Sequence, residues 1–220
     1  ALKNDSKYDS CASFCSSSAS FNALLKIGSL LLLGLFALPL WNITLGAPQY
    51  PEPLGIDIYI NGLQGENEFD IKNIDGLNHY IGMKILPKPD DMWEFSVFPL
   101  VISIMAGLGI CIGLLGFLDK LSHNWFLFWF ILMSVFGVLG IYDFSQWLVE
   151  YGTELDPNAI MKLMNPDGTP MKYNPPLFGH KKLLNFDAFS YPRLGGIMLW
   201  AGMMITLFAY FVGRKSLKKS

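Results

Sequence analysis

The segment "NHYIGM" at 78–83 places a histidine and a methionine four residues apart. At this spacing two helical residues lie one turn apart on the same face, so His79 and Met83 would project together. Imidazole and thioether groups are ligands that Cu(I) prefers, and residues 42–95 around the pair, the first polar segment, contain no cysteine. The pair therefore predicts a copper site. The alternative is that Met83 packs in a core while hydrogen bonds hold His79 in place.

Residues 150–193, the second polar segment, offer further donors of the same kind. They include Met161, Met164, Met171 and His180 and again no cysteine. A Cu(I) site completed by one of these side chains would lie between the two polar segments, and copper is the cofactor that this set of donors predicts. The first polar segment also holds nine acidic residues against three lysines, a balance that attracts cations in general.

Polar residues at the end of one apolar block form another candidate site. Asp143 and Gln146 are three residues apart, and Glu150 follows one turn later, so all three lie close to one helical face. An ionisable group near membrane depth predicts a proton or metal site, and anchoring of loop backbone is the alternative. Asn78 and Tyr80, which flank the histidine of "NHYIGM", are candidates by position.

The sequence shows no set of residues typical of an enzyme. We find no phosphate-binding glycine loop, no Ser-His-Asp order, no zinc spacing and no basic patch for nucleic acid, so no catalytic residue is predicted. Of three cysteines, Cys11 and Cys15 lie near the start of the chain and Cys111 in an apolar block. The polar segments therefore lack disulfides and the chemistry of thiol oxidoreductases.

The composition predicts a membrane protein. The chain has 220 residues, of which 52% are hydrophobic and 15% charged, which is too apolar for an ordinary soluble domain. Each of four apolar blocks has about the 20 residues that a helix needs to cross a bilayer. They predict an all-α protein with four transmembrane helices, a domain of residues 24–213. The blocks lie at 24–41, 96–118, 125–149 and 194–213.

The positions of Lys and Arg predict the orientation in the membrane. Eight basic residues fall within 1–26, 119–124 and 214–220, about 39 residues in all, and the two polar segments hold eight in about 98. Cytoplasmic segments are enriched in Lys and Arg, so we expect both termini in the cytoplasm and both polar segments outside. The serine-rich residues 1–23 predict a flexible tail, with the remnant of a targeting peptide as the alternative, and 214–220 are expected to form a basic cytoplasmic tail.

The two polar segments are expected to fold together as an extracytoplasmic cap. The alternating isoleucines of "GIDIYING" predict a strand, paired with "EFDIKNI" as a β-hairpin across a turn at Gly62–Gly65. Asp75 is expected to cap a short helix that carries "NHYIGM". The second polar segment is rich in aromatic and aliphatic residues, which favours packing on the first.

Several motifs resemble those of a family of small four-span membrane proteins found beside nitrous-oxide reductase and its copper-delivery genes in bacterial gene clusters. The similarity covers about residues 30–213, and "LNHYIGM" with "APQYP" upstream carries most of it. Thr153 departs from the family, whose members tend to have a histidine there, and "LMNPDGTP" is an apparent insertion before Met171. The other similar stretches are "YDFSQWLVEYG", "LDPNAIMK" and "YNPPLFGHKKLLNFDAFSYP".

The resemblance implies an accessory role in the bacterial inner membrane, in copper supply, electron supply or assembly of an extracytoplasmic copper enzyme. It also makes Met171 the preferred partner of His79 and Met83, because Met171 leads into the family-like stretch "YNPPLFGHK". The alternative is a structural accessory subunit of a larger membrane complex, with the cap as its docking surface. Both functions imply other membrane or periplasmic proteins as partners.

Overall fold

The computed structural model describes most of the chain and divides it into two compact units. The described residues up to Ala37, with Leu100–Gly137 and those from Ile197 onward, form the helical unit, and Leu38–Pro99 with Val138–Gly196 form the sheet unit. The predicted tail at 1–23 and Met161 lie outside the described residues. These are 27–28, 30–117, 122, 124–156, 158–160, 164–165, 167–168, 171–183 and 185–217.

The sheet unit contains a five-stranded antiparallel sheet in the order β3-β2-β1-β5-β4. The central strand β1 pairs with β2 through Trp41 and Ile58 and with β5 through Trp41 and Pro192. Strands from both polar segments thus share one sheet. The strands are β1 (Trp41–Gly46), β2 (Leu54–Tyr59), β3 (Gly62–Gly65), β4 (Gly179–Leu183) and β5 (Phe186–Pro192).

Besides the helical residues at 27–28 and 30–33, four α-helices with defined bounds accompany the sheet in the described part of the chain. Three of them, α2, α3 and α4, are long and apolar enough to cross a membrane, which is compatible with an integral membrane protein. Short 3₁₀ turns form at Gly34–Phe36 and Pro89–Asp91. The helices are α1 (Asp70–Ile81), α2 (Glu94–Phe117), α3 (Asn124–Thr153) and α4 (Leu194–Leu217).

The predicted all-α fold with four transmembrane helices is wrong. In the block at 24–41 the described helical residues run only to 33, a 3₁₀ turn follows, and the chain enters the sheet before the block ends. The Leu40 N–H donates to the Ile58 carbonyl at 2.8 Å, and Trp41 begins β1. Their hydropathy placed Leu40 and Trp41 in the predicted membrane helix. Their backbone groups instead form hydrogen bonds with strands of the sheet.

The predicted hairpin also has a different partner. The glycines expected to form its turn are themselves β3, paired with β2, and "EFDIKNI" leads into α1. The carboxylate of Asp70, which is buried, accepts hydrogen bonds from the Gly55 and Asn67 N–H groups at 3.0 Å each. Asp75 lies inside the helix and accepts from the Leu86 N–H at 2.7 Å, so it does not cap α1.

The core of the sheet unit forms where α1 packs on β2. Leu54 and Ile56 of β2, Ile74 of α1, Leu86 and Tyr151 make up one buried cluster. The strand residues come from one face of the sheet, since side chains alternate along a strand. The "NHYIGM" segment ends on this core.

Close backbone approach holds the helical unit together. A Cβ atom on Gly28 would lie 2.9 Å from the Gly202 carbonyl oxygen, and one on Gly202 would lie 2.9 Å from the Gly28 carbonyl oxygen. Small residues permit such contacts between membrane helices. The buried Trp129 of α3 donates its indole N–H to the Met105 carbonyl of α2 at 2.9 Å.

Replacing Gly202 by alanine should destabilise the helical unit, because the new methyl group would overlap a backbone carbonyl that cannot rotate away. We expect a loss of about 1–3 kcal/mol in the free energy of unfolding, measured in detergent micelles. Gly107→Ala is the matched control, since a Cβ there meets no atom within 4 Å. Equal stability of the two variants would contradict the observed helix contact.

Candidate functional site

The "NHYIGM" segment forms the C-terminal end of α1. Gly82 adopts a left-handed conformation with φ of 82°, and its N–H and that of Met83 both donate to the Asn78 carbonyl, the latter at 2.8 Å. A Cβ atom on Gly82 would lie 2.6 Å from Cβ of Ala159, so the site requires glycine for both conformation and space. The helix ends at Ile81, and Met83 lies beyond its last turn.

The side chains of this segment face in two directions. Asn78 is buried, and its amide donates a hydrogen bond to the hydroxyl of Tyr151, which is also buried. Met83 is half-buried and packs against the core cluster of the sheet unit. His79 and Tyr80 are exposed. Two residues of the motif therefore hold the turn in place, and two are presented to the surroundings.

The donors of the second polar segment occupy different environments. His180 lies on β4, where its Nε2 is 2.8 Å from a carboxylate oxygen of Asp187 and its ring stacks on its cross-strand partner Phe189 at 4.6 Å between centroids. Met171 is half-buried in irregular structure, and Met164 is exposed. Among the described residues, no group of three or more His, Cys, Asp or Glu side chains is placed to hold a metal ion. Copper binding stays a prediction.

The polar face of α3 is partly engaged in ion pairs. Asp143 is half-buried, and Gln146 and Glu150 are exposed. Lys84, which directly follows the "NHYIGM" segment, pairs with Glu150 at 3.7 Å and more closely with Glu154. The hydrogen bond with Glu154 raises the pKa of Lys84. All three charged groups are more than half exposed, so these ion pairs contribute little to stability.

Six aromatic rings in contact, which we name the aromatic ladder, were missed in the sequence. In α3, Trp147 stacks on Tyr151 at 5.0 Å and on Phe144 at 6.2 Å between centroids. Phe144 meets Trp41 of β1 edge to face at 5.9 Å. Within α3 the aromatic residues are three and four positions apart, a spacing from which their stacking could have been predicted. No local pattern in the sequence predicts the contact with Trp41. The complete ladder is Tyr191, Phe178, Trp41, Phe144, Trp147 and Tyr151.

A second tie joins the end of α3 to the second polar segment. The Tyr173 N–H donates to the Gly152 carbonyl at 2.9 Å, and a Cβ atom on Gly152 would overlap Asn174 at about 2.4 to 2.5 Å. Tyr173 is buried, and burial raises the pKa of its hydroxyl. The motifs "EYG" and "YNPP" therefore meet in one contact, and its closeness explains the glycine of the first motif.

Polar side chains also link the strands to the start of α4. Arg193 donates to Asp57 at 3.1 Å and to Glu66, and Asn42 of β1 donates to the same Asp57 oxygen at 2.8 Å. The hydrogen bond to Glu66 raises the pKa of Arg193. The network is partly buried, and its charges are paired across three elements.

Beside the "NHYIGM" turn, a groove of about 590 Å³ lies between residues 84–94 and the last turns of α3. Lys84, Trp93, Trp147 and Glu150 line it together with Tyr151. The groove thus adjoins Tyr151, the buried hydrogen-bond partner of Asn78.

No protein-family profile matches the chain, and no curated protein matches it at a significant level. Among the described residues, three helices have membrane-spanning length, and strands from both polar segments form one five-stranded sheet. The similarity to proteins of nitrous-oxide reductase gene clusters remains an expectation from the motifs.

Tyr151→Phe should destabilise the sheet unit, because it leaves the buried Asn78 amide without its acceptor. We expect a loss of about 1–3 kcal/mol in the free energy of unfolding. His79→Ala, one residue away but exposed, should change it by less than about 0.5 kcal/mol. Denaturant unfolding in micelles measures both, and the double variant Asn78→Ala, Tyr151→Phe should lose less than the sum of its single losses. Additive losses would mean that the two side chains do not interact.

Proposed function

We propose that this protein is a membrane-anchored accessory subunit whose sheet unit docks another protein outside the cytoplasm. The observation that carries the proposal is that some side chains of the "NHYIGM" turn are packed and others are exposed. Asn78 and Met83 are used to hold the turn against the core, while His79 and Tyr80 are left exposed beside them. A rigidly held turn with an outward aromatic side chain is suited to recognition.

The surroundings of the turn support a docking role. Tyr80 is 45% exposed, and Ile85 and Trp93 on the segment that follows are each 62% exposed. Large apolar side chains grouped on a polar surface mark contact sites for proteins or lipids. We name Tyr80, Ile85 and His79 the presented turn, and we propose it as the centre of the docking surface.

The three long helices and the charges support a proposed orientation in the membrane. If α2, α3 and α4 each cross the membrane, residues 118–123 and the basic C-terminal residues lie on one side in sequence order, and the polar segments lie on the other. The excess of Lys and Arg favours the cytoplasm for the first side. The expected cytoplasmic N-terminus depended on a fourth crossing, so only the C-terminal side enters the proposal. The resemblance favours the bacterial inner membrane.

The partner class comes from the same resemblance. Proteins with these motifs are expected beside nitrous-oxide reductase, so an extracytoplasmic copper enzyme or a membrane protein of its assembly is the proposed partner. The function would then be structural: the presented turn holds the partner near the membrane.

Copper handling is the second candidate function. It is favoured by His180, whose Nε2 is held by the Asp187 carboxylate at 2.8 Å while the side chain stays 47% exposed. A carboxylate that fixes one ring nitrogen is a common arrangement behind metal-binding histidines, because it orients the other nitrogen. Met171 and His79 are the further donors proposed for such a site.

Photo-cross-linking should locate the docking surface. A photoreactive phenylalanine analogue is placed at Tyr80 or, as the control, at Lys72, which is exposed on the same helix. After irradiation of intact cells, an adduct with one defined extracytoplasmic or membrane protein is expected at position 80 and not at 72. Equal adducts at the two positions, or none at 80, would rule out docking through the presented turn.

Cu(I) binding separates the two candidate functions. Purified protein competes for Cu(I) with a chelator of known affinity, at neutral and at acidic pH. Copper handling predicts that His180→Ala and Met171→Leu weaken binding and that acid weakens it too, since protonated imidazole cannot bind a metal. Met83→Leu is the control, because Met83 packs on the core. If the wild-type protein binds no Cu(I), the docking function stands alone.

A further inference from the structure

The groove beside the end of α3 lies where two membrane-length helices meet polar structure. One wall is residues 84–94, which lead into α2 at Glu94, and the other is the last turns of α3, which ends at Thr153. Its volume of about 590 Å³ falls within the range of small-molecule sites. A molecule in this groove would therefore sit beside both the bilayer surface and the sheet unit.

The lining combines charges of both signs with an exposed indole. The acidic residues Asp91, Glu94 and Glu150 line the groove together with Lys84. Trp93, which precedes α2, is 62% exposed and leaves much of its ring uncovered. An alkylammonium group is bound by carboxylates and by the face of an indole. Lys84 has three N–H donors, so it can bind a phosphate oxygen and keep its pair with Glu154.

We propose that the groove binds the phosphoethanolamine headgroup of a membrane phospholipid. The ammonium end of the headgroup lies between Glu150 and the Trp93 ring, and the phosphate lies on Lys84. The acyl chains extend along apolar side chains at the start of α2, of which Val97 is exposed. The proposal needs the membrane but not the docking partner.

The position of the groove favours a lipid over the lysine of a partner protein. Tryptophan at the start of a membrane-length helix is typical of the bilayer interface, where lipid headgroups are abundant. A headgroup also carries the negative phosphate that matches Lys84, whereas a lysine side chain of a protein carries only the ammonium.

Native mass spectrometry of the full chain in detergent tests the proposal. The protein is titrated with phosphatidylethanolamine or with phosphatidylglycerol of the same acyl chains, and the wild-type protein should bind the first more tightly. Glu150→Gln should weaken phosphatidylethanolamine binding about five-fold, as expected for the loss of one partly exposed ionic contact. Glu154→Gln is the matched control, since Glu154 pairs with the same lysine but does not line the groove. It should change binding less than about two-fold.

A second variant tests the contact between the lipid ammonium group and the Trp93 ring without changing a carboxylate. Trp93→Leu preserves an apolar side chain but removes the ring face, and it should also weaken phosphatidylethanolamine binding. Trp125→Leu, at the exposed start of α3, is its control. Equal binding of the two lipids, or equal effects of Glu150→Gln and Glu154→Gln, would overturn the proposal. Displacement of the lipid by soluble phosphoethanolamine at equal concentration would instead assign the groove to a small solute.

Discussion

The hydrogen bond from the Asn78 amide to the Tyr151 hydroxyl is the interaction on which the sheet unit depends most. It joins the last turn of α1 to the last turns of α3, and both side chains are buried, so neither can exchange its partner for water. Tyr151 is also the end of the aromatic ladder, whose rings lead through Trp147 and Phe144 to Trp41 on the central strand. A shift of this tyrosine would therefore disturb the helix, the strand and the core together.

The motif "NHYIGM" contains residues that stabilise the fold and residues that are exposed. Asn78, Gly82 and Met83 are occupied by structure: one donates the buried hydrogen bond, one supplies the left-handed turn, and one packs on the core. What remains for function is the outward pair His79 and Tyr80. A copper site built from His79 and Met83 would have to take Met83 away from the core, whereas docking through the outward pair leaves the core intact. This difference in cost is why we place docking first.

The sequence predicted some elements well, and the reasons are local. The blocks at 96–118, 125–149 and 194–213 appear as α2, α3 and α4 within a few residues, because a continuous apolar run is enough to define such a helix. The block at 24–41 failed, because its last apolar residues pair with strands that lie far away in the chain. The helix α1 was expected in about the right place, but its tie to β2 runs through the buried Asp70, and nothing in the local pattern distinguishes Asp70 from Asp75.

The sequence by itself determined the apolar helices α2, α3 and α4 and a composition compatible with a membrane protein, since both depend on hydropathy. Tertiary structure decided the sheet, because the hydrogen bond between Trp41 and Ser190 joins residues 149 positions apart. It also decided the directions of the candidate side chains: His180 turned to Asp187, Met83 to the core, and Glu150 to Lys84 and the groove. Residue types state which chemistry is available, but only packing decides which groups meet, because burial and partners arise from segments that the chain brings together after folding.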